Sequence, residues 1–199
     1  MKPFLLKVAL IISLLIINGF YMDLPAQVYR AGAGLCFASG FRFNSSEIGN
    51  PGVKVKTWVA LDRRSTIHIV PTLSVFNRNL LDAGMYTLTN YMFMGDLDAQ
   101  FMVYSENTLK VVVFGGGNFT FLNSVVAQAD EKYPVPDYAP GSDQDYAFGG
   151  NLGAGLELRL GRQWDMNVSS KYILSKYSQF LISVEGVYYF KSRRKAYRR

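Results

Sequence analysis

The chain of 199 residues holds one cysteine, Cys36, and one histidine, His68. A single cysteine closes no internal disulfide, so no covalent staple supports the fold. One Cys and one His also exclude the zinc sites built from those ligands. No phosphate-cradling loop is present, because Gly115-Gly116-Gly117 falls inside a strand-like stretch with no helix after it. Past the N-terminal region no apolar run reaches the roughly 20 residues of a spanning helix. Net charge is also scarce over most of the length. Residues 27–190 carry thirteen Lys/Arg against fourteen Asp/Glu, whereas Lys191–Arg199 carries six basic residues and no acidic one. The overall charge of +6 therefore belongs to the tail, and it gives no ground for expecting a nucleic-acid partner.

The N-terminus has Lys2 and Lys7, an apolar run from Val8 to Phe20 broken by Asn18 and Gly19, and then Leu24-Pro25-Ala26 before Gln27. A charged start, a short apolar centre and a small residue at the end form the pattern of a secretory signal peptide. The expected organisation is a signal peptide over 1–26, one domain over 27–190 and a basic tail over 191–199.

Within that domain, stretches with alternating polarity recur. Successive side chains of a strand point to opposite faces, so alternation reads as one apolar and one polar face. The last stretch, Gln179–Phe190, puts Phe180, Ile182, Val184, Gly186, Tyr188 and Phe190 on one side and Gln179, Leu181, Ser183, Glu185, Val187 and Tyr189 on the other. The pattern occurs eight times, over 29–43, 53–62, 66–78, 90–104, 109–122, 145–160, 164–175 and 179–190. In the first of these, Tyr29, Ala31, Ala33 and Leu35 fall on the apolar face. Pro71 marks an expected bulge or bend, and Gly115–Gly117 an expected kink. The connectors 62–65, 105–108 and 161–163 are tight turns, while 44–52, 79–89 and 123–144 read as long loops. Eight amphipathic strands behind an export signal, with short and long connectors alternating, predict an all-β fold: an eight-stranded antiparallel up-and-down transmembrane β-barrel whose apolar face meets lipid. The short turns and the tail would then face the periplasm. A soluble lipocalin-like barrel is the rival, with the two faces exchanged.

Three stretches carry a resemblance: Ile69-Val70-Pro71-Thr72-Leu73-Ser74-Val75, Gly153–Leu160 (GAGLELRL) and Ser183–Phe190 (SVEGVYYF). The chain resembles the small outer-membrane barrels of the OmpA, OmpX and OmpW type, and especially the PorT-like barrels of Bacteroidetes. The resemblance implies an outer-membrane location, contact with outer-membrane lipid, recognition of the Phe190 strand by the outer-membrane assembly machinery, and an accessory role in secretion.

Eight strands enclose only enough space for side chains to fill. On the polar face lie Arg30, Arg42, Lys54, Lys56, Lys110, Arg159 and Lys171, with Asp62, Asp96, Asp98, Glu157, Asp165 and Glu185. Buried charges persist when paired, so these thirteen read as an internal salt-bridge network that plugs the barrel. A small-solute channel lined by the same charges is the alternative. Asp96 and Asp98 share a face and have the residue types of an acid–base pair, but neutralising lumenal Lys and Arg accounts for them. His68, near Ser65, Thr66, Thr72 and Ser74, is the one candidate for a lipid-modifying enzyme; at mid-strand on the polar face, a hydrogen-bonding role fits it better. Asp130, Glu131, Asp137 and Asp143 read as a solvated acidic loop rather than a calcium site. The expected function is thus non-catalytic and cofactor-free, in envelope structure, surface interaction or a secretion complex. The basic tail is the candidate contact for a periplasmic or secretion-complex partner.

Overall fold

In a computed structural model, residues 28–39, 50–62, 65–76, 79–82, 86–128 and 141–190 are described. The expected signal peptide, Arg42, residues 129–140 of the long loop and the tail 191–199 lie outside them. The strands are β1 (Val28–Ser39), β2 (Asn50–Ala60), β3 (Ile67–Phe76), β4 (Asn79–Asp82), β5 (Tyr86–Ser105), β6 (Leu109–Gln128), β7 (Gly141–Arg159), β8 (Trp164–Leu174) and β9 (Gln179–Tyr189). Each strand pairs antiparallel with its neighbours, β1 pairs with β9, and β3 pairs with β5, which closes the sheet. The four-residue β4 continues the position of β3 along β5, so nine strands make an eight-stranded barrel. No helix occurs among the described residues.

The closure has a definite register. Following partners from Glu157 leads through Asn167, Glu185, Gly34, Lys54, Ser74, Met94 and Thr120 to Ala147, ten residues from the start. A shift of that size around eight strands corresponds to a tilt of about 40° from the barrel axis. All but one of the side chains on this path are buried, so the path traces the inner wall; the exception is Gly34. Gly34 is fixed by a close approach: a Cβ there would stand 2.0 Å from the carbonyl oxygen of Val184 and 2.5 Å from Cα of Glu185. Gly34→Ala should therefore force β1 away from β9 and cost about 1–3 kcal/mol, read as a lowered denaturant midpoint of the micelle-folded barrel.

The two faces are inverted relative to a water-soluble barrel. Leu35, Val53, Val55, Leu97, Phe101, Leu152, Leu156, Ile182 and Val184 are exposed outside, and Phe148 is 78% exposed. Arg30, Lys54, Lys56, Asp96, Glu157, Lys171 and Glu185 are buried inside. This excludes the lipocalin-like arrangement, which needs apolar residues inward.

Several local expectations need correction. Pro71 makes no bulge: Lys56 pairs with Thr72 and Val59 with Ile69 in one register, and only the ladder between them is interrupted. Its missing N–H removes a rung without inserting a residue. Gly115–Gly117 pairs without a register shift on both sides, so the run carries no bulge. Register shifts lie instead between Val28 and Arg30 of β1 and between Met102 and Tyr104 of β5, and the first turns Tyr29 inward from the outer face that alternation assigns to it. Asp62 is not lumenal. Its Oδ1 accepts from the Thr66 and Ile67 amides at 2.8 and 2.9 Å and its Oδ2 from the Thr66 hydroxyl at 2.7 Å, which caps the turn where Ser65 sits at a φ of 53°. A short acidic side chain bonding local amides is what stabilises such a turn.

The longest departure concerns the loops. β5, β6 and β7 are 20, 20 and 19 residues long, against 10 to 12 for β1, β2, β3, β8 and β9. A membrane-crossing strand needs about 9–11 residues. Residues 123–128 and 141–144, expected in a loop, extend β6 and β7, and most of 79–89 forms the β4–β5 hairpin. The barrel thus carries a raised wall over one side of its loop end.

Candidate functional site

Among the described residues, the interior is the place where charged side chains converge, and it is layered. Toward the loop end, Cys36, Ala38, Phe76, Met92, Met94, Leu122, Ile173 and Leu181 form an apolar cluster. Toward the turn end, Trp58, Val70, Val187 and Tyr189 form a second one, with Tyr29 against it. A charged layer lies between them. There Glu185 takes Lys54 at 3.1 Å and Lys56 at 2.5 Å, and Lys54 also donates to the Ser183 hydroxyl. Asp96 pairs with Lys171 and accepts from the amides of Asn118 (2.6 Å) and Asn151 (3.3 Å). Thr120 donates to Asn118 at 2.9 Å and fixes that amide.

A second charged group is embedded in the aromatic layer. Arg30 donates to Glu157 at 2.6 Å and to the Tyr189 hydroxyl at 3.0 Å, and its guanidinium lies 4.2 Å from the Trp58 ring centre. Glu157 also takes Lys110 at 3.5 Å and the Gln100 amide at 3.3 Å. Gln100 in turn accepts from the Trp58 indole, and Tyr189 donates to Asp165 at 2.8 Å. Arg30, Lys110 and Glu157 are thus ion-paired, the condition under which charges are retained in a dry interior.

Of the thirteen side chains assigned to the interior by alternation, Arg30, Lys54, Lys56, Asp96, Asp98, Glu157, Asp165, Lys171 and Glu185 are buried there, and Lys110 is partly buried. Arg159 is exposed, its Nε donating to the Gly161 carbonyl. Its parity is lumenal, but it is the last residue of β7, paired with Asp165 at the final rung, where the wall no longer encloses it. The aromatic and amide partners Trp58, Gln100, Asn118, Asn151 and Tyr189 show the same parity as the charges and were legible as lumenal, though not as members of the network. Tyr29 gave no signal, because its inward turn depends on the register shift in β1.

Asp96 is ion-paired to Lys171. Asp98 borders a void of about 10 Å³ together with Lys54, Lys56, Thr72, Gln100 and Ser169, and its Oδ1 has no hydrogen-bond partner. That space suits roughly one water molecule. His68 is inside the barrel with its Nε2 at 2.6 Å from the Tyr29 hydroxyl, and no carboxylate is hydrogen-bonded to Nδ1. Among the described residues no three His, Cys, Asp or Glu side chains are placed to hold a metal.

The charges divide between the strands and the two sets of connectors in the sequence. Five basic side chains (Arg30, Lys54, Lys56, Lys110, Lys171) and five acidic ones (Asp96, Asp98, Glu157, Asp165, Glu185) lie within the wall, a balance of zero. The loop-end connectors and strand tips carry Arg42, Arg78, Lys132 and Lys176 against Glu47, Asp82, Asp130, Glu131, Asp137, Asp143 and Asp145, a balance of −3. In sequence, the turn-side connectors and strand tips carry Arg63, Arg64, Arg159 and Arg162 against Asp62 and Glu106, a balance of +2.

Neither a family model nor a curated protein matches the sequence. Solved structures do match its fold. Ail, the attachment invasion locus protein of Yersinia pestis, superposes with a TM-score of 0.54 at 9% identity, over 82% of this chain and 99% of that one. The N-terminal β-barrel domain of Pseudomonas aeruginosa OprF gives 0.53 at 11% identity, over 82% and 98%. A major outer membrane protein from Thermus thermophilus gives 0.55 at 10% identity, over 81% and 99%. The chain has the fold of the small eight-stranded outer-membrane barrels. At these identities the fold is all that the likeness carries, and the interior must be read from this chain's own residues.

Proposed function

We propose that this protein is a non-catalytic outer-membrane barrel whose lumen is a closed, charge-neutral plug and whose role is exercised at its two ends. The observation that supports this most directly is the layering of the interior, with the Lys54, Lys56, Glu185, Asp96 and Lys171 ion pairs between two apolar clusters and the Arg30–Glu157 pair embedded in the second. An ion entering the lumen would have to shed its hydration at both clusters and displace formed ion pairs between them, and each step is costly. A surface role draws support from the raised β5–β7 wall, which extends the strands well past the length a bilayer needs. Ail has been crystallised with sucrose octasulfate, a heparin analogue. The net −3 balance of the loop-end connectors in this chain disfavours a polyanion there, so that ligand is not carried over. An accessory place in a secretion complex, as in the PorT-like barrels, is one form of the same reading.

The test is electrical. The folded barrel inserted in a planar bilayer should give no discrete current steps in molar KCl. Stable unitary conductance would overturn the plug and favour the small-solute channel.

A further inference from the structure

We propose that the turn end of the barrel is a binding surface for anionic phospholipid headgroups in the leaflet it contacts. The inference rests on the reading of the chain as a membrane barrel and adds a lipid preference to it. Arg159 at the end of β7 and Arg162 in the β7–β8 turn are both exposed. They flank Leu160, which is exposed on the outside, and precede Trp164, which is 54% exposed. Trp164 packs on Tyr188 with ring centres 5.0 Å apart, and Tyr188 on Phe190 at 5.9 Å. Amphipathic and aromatic rings of this kind gather where hydrocarbon gives way to headgroups. The two guanidinium groups are therefore held at the depth of the lipid phosphates, and a guanidinium matches a phosphate with two parallel hydrogen bonds.

The acidic groups at this end are already engaged. Asp62 caps its own turn, Glu106 accepts from the Tyr104 hydroxyl, and Asp165 is buried beneath Tyr189. The end of β9 is fixed at this rim, where the Phe190 amide donates to the Tyr29 carbonyl at 3.1 Å. A protein or murein partner in the aqueous phase would give no reason for arginines beside outward-facing leucine and tryptophan.

The two tryptophans make the test possible, because Trp58 is buried in the lumen and Trp164 faces outward at this rim. The full mature chain is reconstituted in phosphatidylcholine vesicles containing a minor fraction of either dibrominated phosphatidylglycerol or dibrominated phosphatidylcholine. Quenching per bromolipid should be about threefold or more stronger with phosphatidylglycerol at low salt, falling toward equality near ~0.5 M NaCl. Arg159→Gln with Arg162→Gln should lower the ratio. A ratio near one in the full chain overturns the proposal, as does retention on purified murein without any lipid preference. Quenching by neither lipid means that Trp164 does not meet the bilayer, and then the membrane reading itself fails.

Discussion

Glu185→Ala is expected to destabilise the barrel by about 3–5 kcal/mol, because it removes the carboxylate that both Lys54 and Lys56 address inside the charged layer. The lysines cannot turn outward, since the wall separates them from solvent and both are buried. An uncompensated pair of ammonium groups would have to recruit water into a space that holds roughly one molecule, or lose their protons. The measurement is the urea dependence of heat-modifiable migration for the protein folded in short-chain lipid. Replacing all three side chains with apolar ones of similar size, as Glu185→Leu with Lys54→Met and Lys56→Met, should recover most of the loss. A buried ion cluster is often no more stabilising than well-packed hydrocarbon, even though breaking it is costly. A small effect of Glu185→Ala alone would mean that the lumen is wet and the plug is not as described.

Val184→Arg should cost about 2–4 kcal/mol in a bilayer, the penalty of a cation at mid-depth on the lipid face of a barrel. Val184 is 44% exposed, lies midway along β9 and neighbours Glu185 in sequence, yet the two side chains occupy opposite media. In a water-soluble barrel an exposed Val→Arg change would stay within about 0.5 kcal/mol. The same substitution therefore separates the two architectures by its magnitude. The check is the unfolding midpoint in vesicles compared with that of a conservative Val184→Ile variant.

How much of this was legible in the sequence depends on where the bilayer imposes a pattern. Leu152, Leu156 and Val184 stand out because strand periodicity and lipid contact act together, so the strand count and the two faces could be read directly. The ends of β6 and β7 were read as loop for the converse reason. Past the membrane neither face has to be apolar, and Asn123-Ser124-Val125-Val126 shows no alternation although it pairs with both neighbours. The charged interior was legible as a set of residues but not as pairs, because partners such as Arg30 and Glu157 are 127 positions apart. The apolar cluster of Met92, Met94, Ile173 and Leu181 was obscured, since apolar residues on the inner face weaken the contrast on which the reading relies. Arg159 and Asp62 were misplaced for a shared reason. Parity continues to the strand ends and beyond, but enclosure does not.

The closed register has a mechanical consequence. Because the ladder returns to itself at a whole-number offset of ten residues, the barrel's girth is set by counting rather than by packing. The wall cannot swell by a fraction of a strand. It can widen only by breaking a complete seam of hydrogen bonds or by acquiring further strands. Breathing of the cylinder is thus unavailable as a way to admit a solute, and any passage would have to be opened by side chains swinging within a bore of fixed width.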